Sequence, residues 1–153
     1  MPALRPAAEK RRNKPCKFCG IAEGSEKSFT VFADDVSVAF LDYRPLMPGH
    51  VLLVPRGHYE TLAATPDAVM AELGVRVKRL SAAVMTAMEA EGSFVALNNV
   101  VSQSVPHVHF HIVPRRKGDG LFASGRMIWK RVGYKDDAER EAVAARIRAT
   151  LTI

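Results

Sequence analysis

The residues with the clearest capacity for chemistry are His107, His109 and His111, in the run His107-Val108-His109-Phe110-His111-Ile112-Val113-Pro114. They are three of the five histidines in the chain and are spaced by two. Alternate side chains of an extended strand leave on opposite faces. The run therefore predicts a strand with Val108, Phe110 and Ile112 turned to a core and three imidazoles on the other face. Grouping imidazoles costs desolvation, and repulsion if they protonate. Two kinds of chemistry justify such a row: metal ligation, and acid–base or nucleophilic work on a charged substrate.

A second constellation is Cys16-Lys17-Phe18-Cys19, which holds both cysteines of the chain. In a reducing compartment this spacing reads as a metal half-site, as a pair of reduced thiols or as a redox pair before it reads as a structural disulfide.

Around these residues the pattern predicts the elements that must position them. Phe29 to Ala33 and Val36 to Leu41 are two short strands joined by an Asp34-Asp35 turn, which is hairpin chemistry rather than a carboxylate dyad. Val51 to Val54 is a buried strand bounded by Gly49 and Pro55. Thr65 as N-cap and Pro66 at the first helical position open a long amphipathic helix. Its apolar positions are Val69, Leu73, Val77, Leu80, Val84 and Met88, and it ends before Gly92. Phe94 to Leu97 is a further strand, and residues 136–151 form a closing helix whose acidic start suits the helix dipole. Short connections between strands and segregated helices make an α+β fold with an antiparallel sheet.

The 153 residues are expected to form one domain over 15–153, preceded by a basic, flexible tail at 1–14. The net charge is +6, yet residues 1–17 and 115–131 each contribute +5, leaving −4 for the remainder. Basicity confined to two segments does not favour nucleic acid as the partner, although the second segment could draw a polyanion to the histidine face. No apolar run approaches a membrane span, and the basic N-terminus lacks the apolar stretch of a secretory signal, so a cytoplasmic location is expected.

The histidine row resembles the motif of the histidine triad superfamily, His-φ-His-φ-His-φ-φ with φ apolar. Val38-Ala39-Phe40-Leu41-Asp42, Pro45, Pro48-Gly49-His50 and Leu53-Val54-Pro55-Arg56-Gly57-His58 are similar to the family's N-terminal half. Asn98-Asn99 and Gln103-Ser104-Val105 are similar to its pre-triad loop. The resemblance implies a five-stranded antiparallel sheet with two main helices, and pairing of two chains into a homodimer. It implies a purine nucleotide substrate and attack by the middle histidine, His109, on the α-phosphorus. A nucleotidyl-histidine would then be hydrolysed to a nucleoside monophosphate. Substrates of this chemistry are nucleoside phosphoramidates and dinucleoside polyphosphates.

By the same resemblance His107 and His111 act on phosphate oxygens, with His111 and Ser104 as donors to the phosphate or leaving group. Phe40 neighbours the base, Asp42 accepts from ribose hydroxyls, and Asn98 and Gln103 lie near the ribose or phosphate. Cys16 and Cys19 are similar to a zinc-binding subset in which His50 and His107 would complete a closed, structural site. No organic cofactor is implied, and His58 reads as a surface or structural residue. Ser102 departs from the glycine that commonly precedes the loop glutamine. Two other readings stand beside the enzyme: a nucleotide sensor or partner protein with vestigial activity, and a nucleic-acid end-processing deadenylase that uses the same His109.

Overall fold

A computed structural model describes residues 15–123, 125 and 130–152, so the expected tail at 1–14 lies outside the described residues. The elements are α1 (Lys17–Glu23), β1 (Thr30–Ala33), β2 (Ser37–Leu41), β3 (Val51–Pro55), α2 (Asp67–Ala87), β4 (Gly92–Ala96), β5 (Phe110–Arg115) and α3 (Asp137–Thr150). The five strands form one antiparallel sheet in the order β1-β2-β3-β5-β4. The α+β class and the five-stranded sheet are as expected.

Alternation builds two layers on this sheet. Val31, Ala39, Leu41, Val51, Leu53 and Ile112 face α2 and α3 and pack on Leu73, Leu80, Val84, Ala144 and Ile147. Val38, Phe40, Leu52 and Val54 face the other way and are covered by Phe18, Ile21 and Ala22 of α1. Strands β2 and β3 are therefore buried on both faces, which is why they read as continuous apolar runs. Each fully buried Leu or Ile here contributes about 1.5–3 kcal/mol.

The β1–β2 turn is built by Asp34. Its Oδ1 accepts from the amides of Val36 and Ser37 at 2.9 and 2.8 Å and from the Ser37 hydroxyl at 3.2 Å. Helix α3 is capped by Asp136, which accepts from Glu139 N–H at 2.8 Å.

Three expectations need correction. Helix α1 has no counterpart in the sequence reading, because seven residues around a Cys pair are too short to show a period. Thr65 does not cap α2: its hydroxyl donates to Thr61 O at 2.9 Å, and Pro66 holds the cap position without a side-chain bond. The ladder of β5 starts at Phe110 and not at His107, because Val108 N–H turns away to Tyr59 O at 2.6 Å.

Candidate active site and metal cluster

The face of the sheet opposite α2 and α3 carries the histidines. Phe40 pairs with Leu52, Leu52 with His111, and His111 with Ala96, so one row crosses four strands on that face. A cleft of about 500 Å³ opens above it. It is lined by Phe18, Ile21, Phe40 and Leu52 on its apolar side and by Asp42, Arg131, Ser104, His109 and His111 on its polar side. Of the residues singled out in the sequence, Phe40, Asp42, Ser104, His109 and His111 thus share one cavity.

His109 is 3% exposed. Its Nδ1 lies 2.7 Å from the carbonyl oxygen of His107. A carbonyl only accepts, so Nδ1 carries the proton and the lone pair of the neutral ring sits on Nε2. Burial lowers the pKa of His109 below the ordinary histidine value, and the Arg131 charge adds to this against the opposing pull of Asp42 and the His107 carbonyl. The ring is therefore neutral and nucleophilic near pH 7.

His111 receives its tautomer through His50. The Leu46 amide donates to Nδ1 of His50 at 3.0 Å. The His50 proton is thereby on Nε2, which lies 3.0 Å from Nδ1 of His111. Nδ1 of His111 accepts that proton's hydrogen bond, so His111 carries its own proton on Nε2. Burial is the main cause that pushes both pKa values down to about 3, keeping both rings neutral. Asp42 also lies within reach of His50 and His111. Both His50 nitrogens already have hydrogen-bond partners, so His50 has no lone pair left to offer a metal in this trio. The Tyr134 hydroxyl accepts from Gly49 N–H at 2.9 Å and fixes the turn that presents His50.

Asp42 Oδ1 accepts from Arg44 N–H at 2.9 Å, and Oδ2 accepts from Arg131 Nη1 at 2.7 Å. Arg131 also donates to Arg44 O at 2.9 Å, and Val132 N–H to Pro45 O at 2.7 Å, so the segment after residue 130 lies along the 42–45 loop. Two expected ligand contacts are not brought together. The Gln103 side chain ties its loop to the connection after β3, donating to Glu60 O at 2.6 Å and accepting from Val100 N–H at 3.1 Å. Asn98 is half-buried and does not line the cleft. Of the basic segment 115–131, Arg131 lines the cleft, whereas Arg115 and Arg116 are engaged elsewhere. Arg115 is paired with Asp119 at 2.6 Å, and Arg116 donates to Met88 O.

The two cysteines lie on the other side of His107. Nδ1 of His107 is 3.5 Å from Cys16 Sγ and 3.6 Å from Cys19 Sγ, and Nδ1 of His58 is 3.3 Å from Cys19 Sγ. All four ligand atoms lie within 4.8 Å of one another. The expected fourth member, His50, is absent from this group, and His58 stands in its place. Antiparallel register gives the reason. His111 pairs beside Leu52 at the start of β3, next to His50, whereas Nε2 of His107 reaches Pro55 O at the end of β3, next to His58. Four residues of strand separate the two ends by about 13 Å.

The cluster suits a metal on its own chemistry. With Nε2–H donated to Pro55 O at 2.9 Å, His107 turns a bare Nδ1 lone pair to the thiols. Burial and the neighbouring Cys16 push the Cys19 thiol up to about 11. A cation is what would let both sulfurs ionise. Phe18, between the cysteines, meets His109 edge-on at 5.0 Å and Phe40 at 5.5 Å. The sequence reading missed Phe18, His58 and Arg131 as site residues. The position of Phe18 inside Cys-x-x-Cys was a usable signal. Arg131 is 89 residues from Asp42, and its signal was its place in the basic segment 115–131.

Residues 23–118 match the HIT domain family. The chain is 33% identical over 138 residues to adenylylsulfatase HINT3 of Arabidopsis thaliana, covering 89% of this chain and 69% of that protein. It is 34% identical over 107 residues to adenosine 5′-monophosphoramidase HNT1 of Candida albicans, covering 66% and 70%. Among solved structures it is similar to a zinc-bound histidine triad family protein from Mycobacterium smegmatis, with a TM-score of 0.75, 30% identity and coverage of 88% and 91%.

Proposed function

This chain belongs to the HIT domain family, and from that footing we propose that it is a nucleotide hydrolase cleaving at the α-phosphate of purine nucleoside phosphoramidates, adenylyl sulfate or dinucleoside polyphosphates. The observation that carries the reading is the state of His109, with Nδ1–H held by the His107 carbonyl and Nε2 basic in a cleft shared with His111, Ser104 and Asp42. Relatives named as an adenylylsulfatase and a monophosphoramidase support a hydrolase in general.

In the proposed reaction Nε2 of His109 attacks the α-phosphorus. A P–N bond forms as the bond from phosphorus to the leaving group breaks. Nε2–H of His111 donates to a non-bridging oxygen, and the Ser104 hydroxyl donates to the departing atom. Water then attacks the same phosphorus in line; its oxygen bonds phosphorus, its proton restores the Ser104 hydroxyl, and the P–N bond breaks to release the nucleoside monophosphate and the neutral imidazole. Positioning and charge neutralisation carry most of such a transfer. Asp42 accepts from the ribose hydroxyls, while Phe18, Ile21, Phe40 and Leu52 enclose the base. His107 has its ring turned to the cysteines and takes no part beyond its carbonyl. Gln103 acts as a brace of the loop.

Cys16, Cys19, His58 and His107 would hold structural zinc, which supplies no step and ties α1 to the sheet. The zinc-bound relative supports this assignment. The assembly we propose is a homodimer, with β4 as the sheet edge open to a partner; sedimentation equilibrium distinguishes it from a monomer. Among the described residues no helix is long and apolar enough to cross a membrane.

The decisive experiment is turnover of adenosine 5′-phosphoramidate, adenylyl sulfate and diadenosine polyphosphates, with mass spectrometry of protein quenched in alkaline denaturant, where a P–N bond survives. AMP release with an adenylylated His109, both abolished in His109→Ala, is the expected result. Binding of AMP without turnover of any substrate would overturn the enzyme reading in favour of a nucleotide sensor.

A further inference from the structure

His107 belongs to two sites at once. Its ring faces Cys16 and Cys19, with Nε2–H donated to Pro55 O. Its carbonyl holds the proton of His109 at 2.7 Å, and its amide donates to Val105 O at 2.8 Å. The same backbone unit that sets where the His107 ring can reach therefore also supplies the acceptor that fixes the nucleophile's tautomer and a contact to the loop carrying Ser104.

Helix α1 is shared in the same way. Cys16 is its N-cap and Cys19 lies in its first turn. Phe18, between them, and Ile21, one turn on, form the apolar wall of the cleft. Seven residues do not sustain a helix in water by themselves, so α1 depends on what anchors it. Its anchors are the burial of Phe18, Ile21 and Ala22, the Arg56 guanidinium on Ala22 O at 2.5 Å, and the two thiols.

We propose that Cys16, Cys19, His58 and His107, with zinc bound, are positioning residues for the nucleotide site, so that metal and nucleotide reinforce each other's binding. This rests on the zinc and nucleotide assignments above and adds the coupling between them. Two routes carry it: His107 to His109 through the carbonyl, and the cysteines to Phe18 and Ile21 through α1. Coupling between sites is reciprocal, so zinc must tighten AMP by the same factor as AMP tightens zinc.

The test uses the full chain and two probes, AMP and zinc. Calorimetry gives AMP affinity for zinc-loaded and chelator-stripped protein. A chromophoric chelator gives zinc affinity with and without saturating AMP. The expected result is a gain of roughly tenfold in each, equal within error, in the range usual for coupled sites. The thiolate-to-metal absorption of cobalt-substituted protein should shift on adding AMP. His58→Ala touches an exposed ligand and keeps the test open if stripping unfolds α1: it should weaken AMP binding, and His58→Cys, which restores four donors, should recover it. AMP affinity indifferent to zinc, zinc affinity indifferent to AMP and an unmoved cobalt band would reduce the cluster to a staple and overturn the proposal. Failure to take up zinc at all would remove the metal assignment, and failure to bind AMP the nucleotide assignment; either also ends the proposal, and the two assays tell them apart.

Discussion

Nε2 of His50 lies 3.0 Å from Nδ1 of His111, and this contact decides which nitrogen of His111 can face a phosphate. The direction of the chain of protons is set by a backbone amide, Leu46 N–H on His50 Nδ1. A histidine outside the triad motif thus determines how a histidine inside it can act.

Replacing His50 by alanine frees Nδ1 of His111 to take the proton. The donor to the phosphate is then lost in part of the population. Activity should fall by about 10- to 100-fold, the scale for residues that orient another histidine, in kcat more than in KM. Steady-state kinetics with adenosine 5′-phosphoramidate measure the split, and an unchanged kcat would argue that His111 keeps its tautomer without help.

Stability should fall with acid. His50 and His111 have folded pKa values near 3, against about 6.5 when exposed in the unfolded chain. Their stabilising effect is complete above pH 6.5 and is lost as the pH drops toward 3, because the unfolded chain binds the protons first. Each histidine costs about 1.4 kcal/mol per pH unit across that window. Asp42 partly opposes the shift at His111, and Arg131 reinforces it at both rings. Unfolding free energies from urea melts should be level near pH 7 and decline as the pH falls from about 6 to 4; a flat profile would contradict the assignment of two buried neutral rings.

Asp42→Asn keeps the shape of the side chain and removes its charge. If the carboxylate receives the ribose hydroxyls, KM for a ribonucleotide substrate should rise about tenfold, the worth of one charge-assisted hydrogen bond. The 2′,3′-dideoxy analogue should be little affected. Equal losses on both sugars would assign Asp42 to holding Arg131 instead.

Ser102 has φ 61° and Val100 φ 63°, both in the left-handed region that disfavours residues with a Cβ. Ser102→Gly should stabilise the fold by about 1 kcal/mol, which is about 2–4 °C in Tm for a chain of this size. Thermal melts of the single variant decide it. No gain in Tm would mean that contacts of the Ser102 side chain offset its backbone.

The parts of the fold legible in the sequence are those with a period. Helices α2 and α3 repeat an apolar spacing, β2 and β3 show as continuous apolar runs between turn residues, and the triad face follows from alternation. What escaped was set by register and by distance along the chain. His50 and His58 flank the same strand; the resemblance pointed to His50 as the ligand and left His58 as a surface or structural residue, and the antiparallel pairing of β3 with β5 places them the other way round. The resemblance implies Gln103 near the ribose or phosphate, yet its side chain bonds Glu60 O and Val100 N–H. Arg131 reaches Asp42 through a fold-back that no local pattern announces.

The alternation from His107 to Ile112 also governs how this protein can change. Ile112 is wholly buried and Phe110 packs on the same core, on the face opposite His109 and His111. Inserting or deleting one residue there would send apolar side chains into the cleft and imidazoles into the core. A change of two residues would preserve the faces but shift His111 away from Leu52 and His50. The segment is thus closed to length variation in evolution or in engineering, and new specificities must come from substitutions around it or from the loops at its two ends.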